Sequence, residues 1–246
     1  MRRLTDIMCV FRIQLAGMRG EAGPFLLAAV VFPSAMYLFA NAVRGAESGH
    51  DDNRLRFLAG SIVFSLSLTS ISWLGYLMLE NRFTGRLKLF ATMPLAPSSY
   101  VFGFLIFALA QAALSTLTLL AVGRALGVSV SPNLGALALV IVLTVLSLCG
   151  LGVIVAARAR SFTEGSMMTD ALGAGLVFLA PVYYGPEAMP QALRMFSRWL
   201  PTTFAASAVQ TTLAGGHEIL PELLALSLMT VATLALGLRL MKWRED

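Results

Sequence analysis

Residues 134–157, LGALALVIVLTVLSLCGLGVIVAA, run without a single charged side chain and are closed by Arg158-Ala159-Arg160. A helix rises about 1.5 Å per residue, so roughly 20 mainly apolar residues cross about 30 Å of hydrocarbon. The stretch therefore predicts a transmembrane helix. The same test applied outward predicts five more, at about 23–43, 57–79, 100–122, 166–184 and 219–240. Composition agrees: of 246 residues 57% are hydrophobic and 13% charged, with mean hydropathy +0.78, whereas soluble domains carry charge on about a quarter of their residues. The expectation is an all-α membrane protein forming one domain over 1–246. Six spans leave too little chain, too divided among loops, for a second soluble core. A soluble catalytic engine would be another chain.

The flanking segments refine this layout. In residues 1–22, Leu4, Ile7, Met8, Phe11 and Leu15 recur at helical spacing, while Arg3, Asp6, Arg12 and Arg19 lie elsewhere around the wheel. That pattern predicts an amphipathic helix in the membrane interface. With no compact apolar core leading to a small-residue cleavage site, the segment is not expected to be a cleaved signal peptide. Pro33 interrupts the first span, which membrane helices tolerate when neighbours satisfy the freed carbonyl. The second span carries Ser61, Ser65, Ser67, Thr69, Ser70 and Ser72; small hydroxyl residues allow close helix packing, and a polar pathway is the alternative reading. Residues 185–218 are neither fully apolar nor fully polar, and predict short interfacial or re-entrant helices divided at Pro201. After the sixth span, Lys242, Trp243 and Arg244 suit the headgroup layer.

Orientation follows from the cations. The N-terminal segment, the 80–99 loop, the 158–165 connection and the C-terminus hold twelve Lys and Arg residues, including Arg82, Arg86 and Lys88; the opposite side holds six. The positive-inside rule places both termini in the cytoplasm, for a multi-pass protein of the inner (cytoplasmic) membrane. The net charge of +5 and pI near 9.7 do not point to nucleic acid, because the basic residues sit beside apolar spans rather than in one patch. Lipid headgroups are the expected partner.

The chemistry of an intramembrane enzyme has no support here. The histidines, His50 and His217, fall in loops expected outside, and no HExxH, CxxC or GxxxxGK[ST] pattern occurs. Cys9 and Cys149 lie far apart and read as packing residues, with no metal site implied. Asp170 is the one acid placed in or near a span. It has two readings: a structural one, at the start of its helix and within reach of Arg158 or Arg160, and a proton or substrate role.

The charged run Glu80-Asn81-Arg82-Phe83-Thr84-Gly85-Arg86-Leu87-Lys88-Leu89-Phe90-Ala91-Thr92-Met93-Pro94-Leu95 has an apolar face. Phe83, Leu87, Phe90 and Met93 recur at helical spacing on a segment too short to span. Docking on a partner's groove and attachment to the membrane surface both fit this periodicity.

This run, with Ser98-x-Tyr100-x-x-Gly103, resembles the loop after the second span in permease subunits of the ABC-2 type of ATP-binding-cassette transporters. A second piece is similar to that family's external re-entrant hairpin: Pro181-x-x-Tyr184-x-Pro186-Glu187-x-Met189-Pro190, then Leu200-Pro201-Thr202-Thr203. Here Leu200-Pro201 replaces the family's usual asparagine-proline. The resemblance covers nearly the whole chain. It implies a coupling segment at 80–99 (Glu80, Arg82, Phe83, Gly85, Arg86, Leu87, Phe90, Met93, Pro94) that docks on a separate ATPase. It also implies an external gate built from Tyr184, Pro186, Glu187, Pro190, Leu200 and Pro201. The chain itself would be non-catalytic and without cofactor, pairing with a second permease, while two ATPase copies bind ATP and Mg. Export of an amphipathic or lipid-like molecule, drug or glycan is implied. The alternative class is an ATP-independent transporter or a scaffold subunit of a membrane complex.

Overall fold

The computed structural model describes residues 2–17, 22–44, 51–92, 97–184, 187 and 189–240. Among these every regular element is helical. Helix α1 (Arg2–Gly17) is followed by α2 (Ala22–Leu26), which continues through a π-helical segment, Leu27–Val31, into α3 (Phe32–Arg44). The widened turn has a direct cause. Pro33 has no N–H and its ring crowds the carbonyl four residues back, so the helix relaxes just upstream, and the Phe32 N–H donates to Leu27 O, five residues back.

A second continuous helix comprises α4 (Asp51–Ser67), a π-helical segment (Leu68–Trp73) and α5 (Leu74–Phe83); α6 (Arg86–Thr92) is short. Then come α7 (Pro97–Ala125), α8 (Leu134–Arg158), α9 (Phe162–Phe178), α10 (Gln191–Ser197), α11 (Pro201–Leu213) and α12 (Leu220–Leu240). Among the described residues four helices are long and apolar enough to cross a membrane: Arg54–Phe83, Ser98–Ala125, Leu134–Arg158 and Leu220–Leu240. The other two expected crossings correspond to 22–44, whose uninterrupted apolar helix is Ala29–Ala42, and to the 17-residue α9.

The second and third expected helices run a few residues further at both ends, and the fifth is displaced. The helix expected at 166–184 begins four residues earlier and stops at Phe178. Its start is set by a side-chain cap: Ser161 Oγ accepts from the Glu164 N–H at 3.1 Å, and Glu164 Oε2 accepts from the N–H of Arg160, the residue before the cap, at 3.1 Å. The described residues of 185–218 include helices α10 and α11, and Pro201 occupies the first turn of α11, where its missing N–H costs nothing.

The bundle is ordered around the α4–α5 helix, 72% of whose apolar window is buried against 17% for the peripheral α12. Hydroxyls do much of the joining. Ser65 bonds to Ser115 of α7, Ser67 Oγ donates to Gly173 O at 2.7 Å, and Thr202 Oγ1 donates to Leu176 O at 2.7 Å. Thr230 and Thr233 of α12 donate to Leu143 O and Ser147 O of α8 at 3.2 and 3.0 Å. These rising pairs make α8 and α12 parallel, so Arg158 and Leu240 finish at one end of the bundle. At the other end Ser131 N and Asn133 N donate to Leu213 O and Thr212 O. Helix α1 lies against the first turns of α7, with buried Val10 seated on Gly103, which sets it at the Arg158 end.

Candidate functional site

The site grows from the way α5 stops. Thr84 folds back on the last turn, its N–H and Oγ1 both donating to Glu80 O at 2.8 and 2.6 Å. Gly85 then takes φ +79, a left-handed conformation that a Cβ disfavours and that glycine adopts freely. The chain reverses and α6 begins at Arg86. Across this corner Arg86 Nη1 meets Glu80 Oε1 at 3.3 Å, with both side chains accessible.

Arg82 fastens the corner to the bundle. Its Nη1 donates to Ala156 O at 3.0 Å, Ala157 O at 3.4 Å and Ala159 O at 2.9 Å. Those are carbonyls at the C-terminal end of α8, which have no partner within the helix and carry its negative pole. The guanidinium also lies 5.2 Å from the centroid of the Phe83 ring.

The expected apolar stripe is divided. Phe83 is 42% exposed, but Phe90 is 8% exposed, its ring 5.2 Å from Tyr100, which continues to Phe104 at 4.8 Å. Leu87 packs against the same core, and Leu89, which the stripe omits, is exposed. Phe83 and Leu89 are thus the apolar side chains this corner presents. Met93 and Pro94 lie outside the described residues. Between α1, α5 and α6 a cavity of about 450 Å³ is lined by Ile13, Gln14, Leu77, Glu80 and Arg86 among others. Corner and amphipathic helix therefore share one surface.

At the opposite end, Tyr184 Oη donates to Phe178 O at 2.6 Å. Glu187 and Pro190 are exposed and Leu200 is buried; Pro186 lies outside the described residues. Thr203 Oγ1 donates to Ser197 O at 2.6 Å, closing the bend between α10 and α11. Met195, Phe196 and Trp199 stand out from that bend, exposed. Helix α11, at 13 residues, is too short to cross, and it packs on α4, α8 and α12.

Asp170 is not at the start of its helix. Because α9 begins at Phe162, the aspartate stands on its third turn, roughly 12 Å in at about 1.5 Å per residue. It is exposed and forms no ion pair with Arg158 or Arg160. Ser161-Phe162-Thr163-Glu164 is a recognisable S-x-x-E capping signal, and it starts the helix inside the connection expected at 158–165. The acceptors of Arg82 had no such signal, being 74–77 residues away.

Cys9 and Cys149 are both free thiols. Among the described residues no group of histidine, cysteine or carboxylate side chains is arranged to hold a metal ion.

A family model described as ABC-2 type transporter matches residues 7–214. That is most of the chain, and the chain belongs to this family, as a multi-pass membrane protein and an ABC-2 permease subunit. Comparison with curated proteins finds no match.

Proposed function

We propose that the chain is the membrane half of an ATP-driven exporter, with the α5–α6 corner as its docking element for a separate cytoplasmic ATPase. The observation that carries this is the corner itself: exposed Phe83 and Leu89 beside the Glu80–Arg86 pair, fastened through Arg82 to the end of α8. An exposed ion pair adds less than about 1 kcal/mol to stability, which leaves its charges available to a partner. Arg82 makes the corner a lever: force applied at Phe83 reaches α8 through hydrogen bonds to its terminal carbonyls.

In this reading the chain crosses the membrane six times, with 22–44 and α9 as the additional crossings and both termini cytoplasmic. Two permeases, identical or homologous, enclose the pathway. Two ATPase copies bind ATP and Mg and close on nucleotide, supplying the difference in stability between access states that this chain has no chemistry to generate. The α10–α11 bend, with Tyr184, Glu187, Pro190, Leu200 and Pro201, seals the external end. The cargo is amphipathic or lipid-like, a drug or a glycan.

Two experiments test it. An ATPase should co-purify with the detergent-solubilised chain. The double substitution Glu80→Lys with Phe83→Ala should leave membrane insertion intact and uncouple ATP hydrolysis from transport; unchanged transport in that variant refutes the docking assignment. A second reading, ion-coupled transport without an ATPase, draws on the depth of Asp170 in α9. Transport that persists in ATP-depleted vesicles with an imposed ion gradient would favour it.

A further inference from the structure

The two π-helical segments border one cavity. Leu27 comes from the first, and Leu68, Thr69, Ser72 and Trp73 from the second; the space measures about 340 Å³ and is completed by Gln111 of α7 and Asp170 of α9, among others. Extra residues in a helical turn change which side chains face a neighbour, and such turns recur at functional sites.

Ser72 Oγ of this cavity donates to Thr169 O at 3.3 Å, but three other polar groups have no partner among the described residues. Asp170 is the one carboxylate among the described residues that line it, and it forms no hydrogen bond or ion pair with any described residue. Gln111 is 2% exposed, yet its Oε1 accepts no hydrogen bond, and Trp73 Nε1 donates none. Buried polar atoms are normally paired because leaving one unpaired costs about 1–3 kcal/mol; Asp170 is exposed at the cavity mouth, and a carboxylate at membrane depth calls for a partner of its own. The carboxylate favours a donor with positive charge, and the Gln111 oxygen accepts from any N–H, an ammonium's included. Trp73 and Tyr76, stacked at 6.2 Å, offer ring faces that attract cations, and Leu27, Phe32 and Leu68 supply an apolar wall.

We infer that this cavity binds an amphipathic amine, its ammonium held between Asp170 and Gln111 against the Trp73 and Tyr76 rings and its apolar body along Leu27 and Phe32. As a statement about cargo this rests on the exporter reading; as a binding site it stands on the side chains named.

The test uses the full chain in detergent with Trp199→Phe and Trp243→Phe, so that fluorescence reports Trp73. It is titrated with phenylbutylamine, phenylbutanol and phenylbutanoate, which share a ring and chain and differ in charge. The amine should quench saturably and bind about tenfold more tightly than the alcohol, with the carboxylate weaker still. Asp170→Asn should reduce the amine to the level of the alcohol, Asp170→Glu should retain most of the preference, and Gln111→Leu should weaken the amine several-fold. Equal binding of amine and alcohol, or an Asp170→Asn chain that elutes normally and still prefers the amine, overturns the proposal. So does an Asp170→Asn chain whose dimer dissociates with amine binding unaltered, which would put the carboxylate at a contact between copies. The titration involves no ATPase. Amine binding without a co-purifying ATPase would sink the exporter reading alone, and an ATPase partner without amine selectivity would sink this site alone.

Discussion

Arg82 Nη1 and the carbonyl of Ala159 are 2.9 Å apart, and this bond joins the corner that follows the central helix to the last turn of α8. A hydrogen bond to a charged donor contributes about 1.5–3 kcal/mol. Here the donor serves three carbonyls at the negative pole of a 25-residue helix.

Replacing Arg82 with Ala should lower the apparent melting temperature of the detergent-solubilised chain by several degrees, for a loss of about 2 kcal/mol. Arg82→Lys should recover only part of it, since one ammonium cannot reproduce the planar fork. Size-exclusion chromatography after a temperature series reads the effect. An unchanged midpoint for Arg82→Ala would remove the lever from the proposed mechanism.

A Cβ on Gly152 would sit 3.1 Å from Ser70 O and 3.2 Å from Ile71 O, backbone atoms of the π-helical segment that have little room to retreat. Gly152→Leu should therefore force α8 away from the central helix and cost about 3 kcal/mol or more. Reduced yield of monodisperse protein is the expected readout, with Gly175→Ala, where nothing lies within 4 Å, as the tolerated control.

The Ser161 cap at the start of α9 predicts a local effect. Ser161→Ala should cost about 1 kcal/mol, and hydrogen exchange should quicken at the amides of residues 162–165 while α8 is unaffected. If α9 exchanges unchanged, the observed start of that helix is not held by its cap.

Membrane-impermeant maleimide tests the arrangement of the ends. Cys9 is exposed and is first replaced by Ser, while buried Cys149 can stay. Glu187→Cys and His217→Cys should label in intact cells, whereas Arg86→Cys and Arg160→Cys should label only after permeabilisation. Labelling of residue 187 should also change when nucleotide is added to the reconstituted transporter, as the gate reading requires; equal labelling in both states leaves the bend as peripheral packing.

Much of this architecture was legible in the chain because it depends on one residue and its solvent at a time. The run 134–157 reads as a membrane helix whatever packs on it, since bilayer thickness alone sets the length required. Pro201 marks a helix start because its missing N–H is harmless only there, and Pro33 marks a disturbed turn for the same covalent reason. The cap at Ser161 was also local and legible. It puts Asp170 four residues deeper in its helix than a start at 166 gives.

What the tertiary structure alone decided was which neighbours each side chain meets. Periodicity puts Phe83 and Phe90 on related faces of short helices, but the Tyr100 ring, brought in by α7, covers one and leaves the other bare. Arg82 finds its acceptors on α8, and Gln111 and Asp170, from different helices, line one cavity. Spacing along a chain records the geometry of a single helix. The distances between helices come from packing of hydroxyls, glycines and rings far apart in sequence, and those distances turn a charged corner and a lone carboxylate into candidate sites.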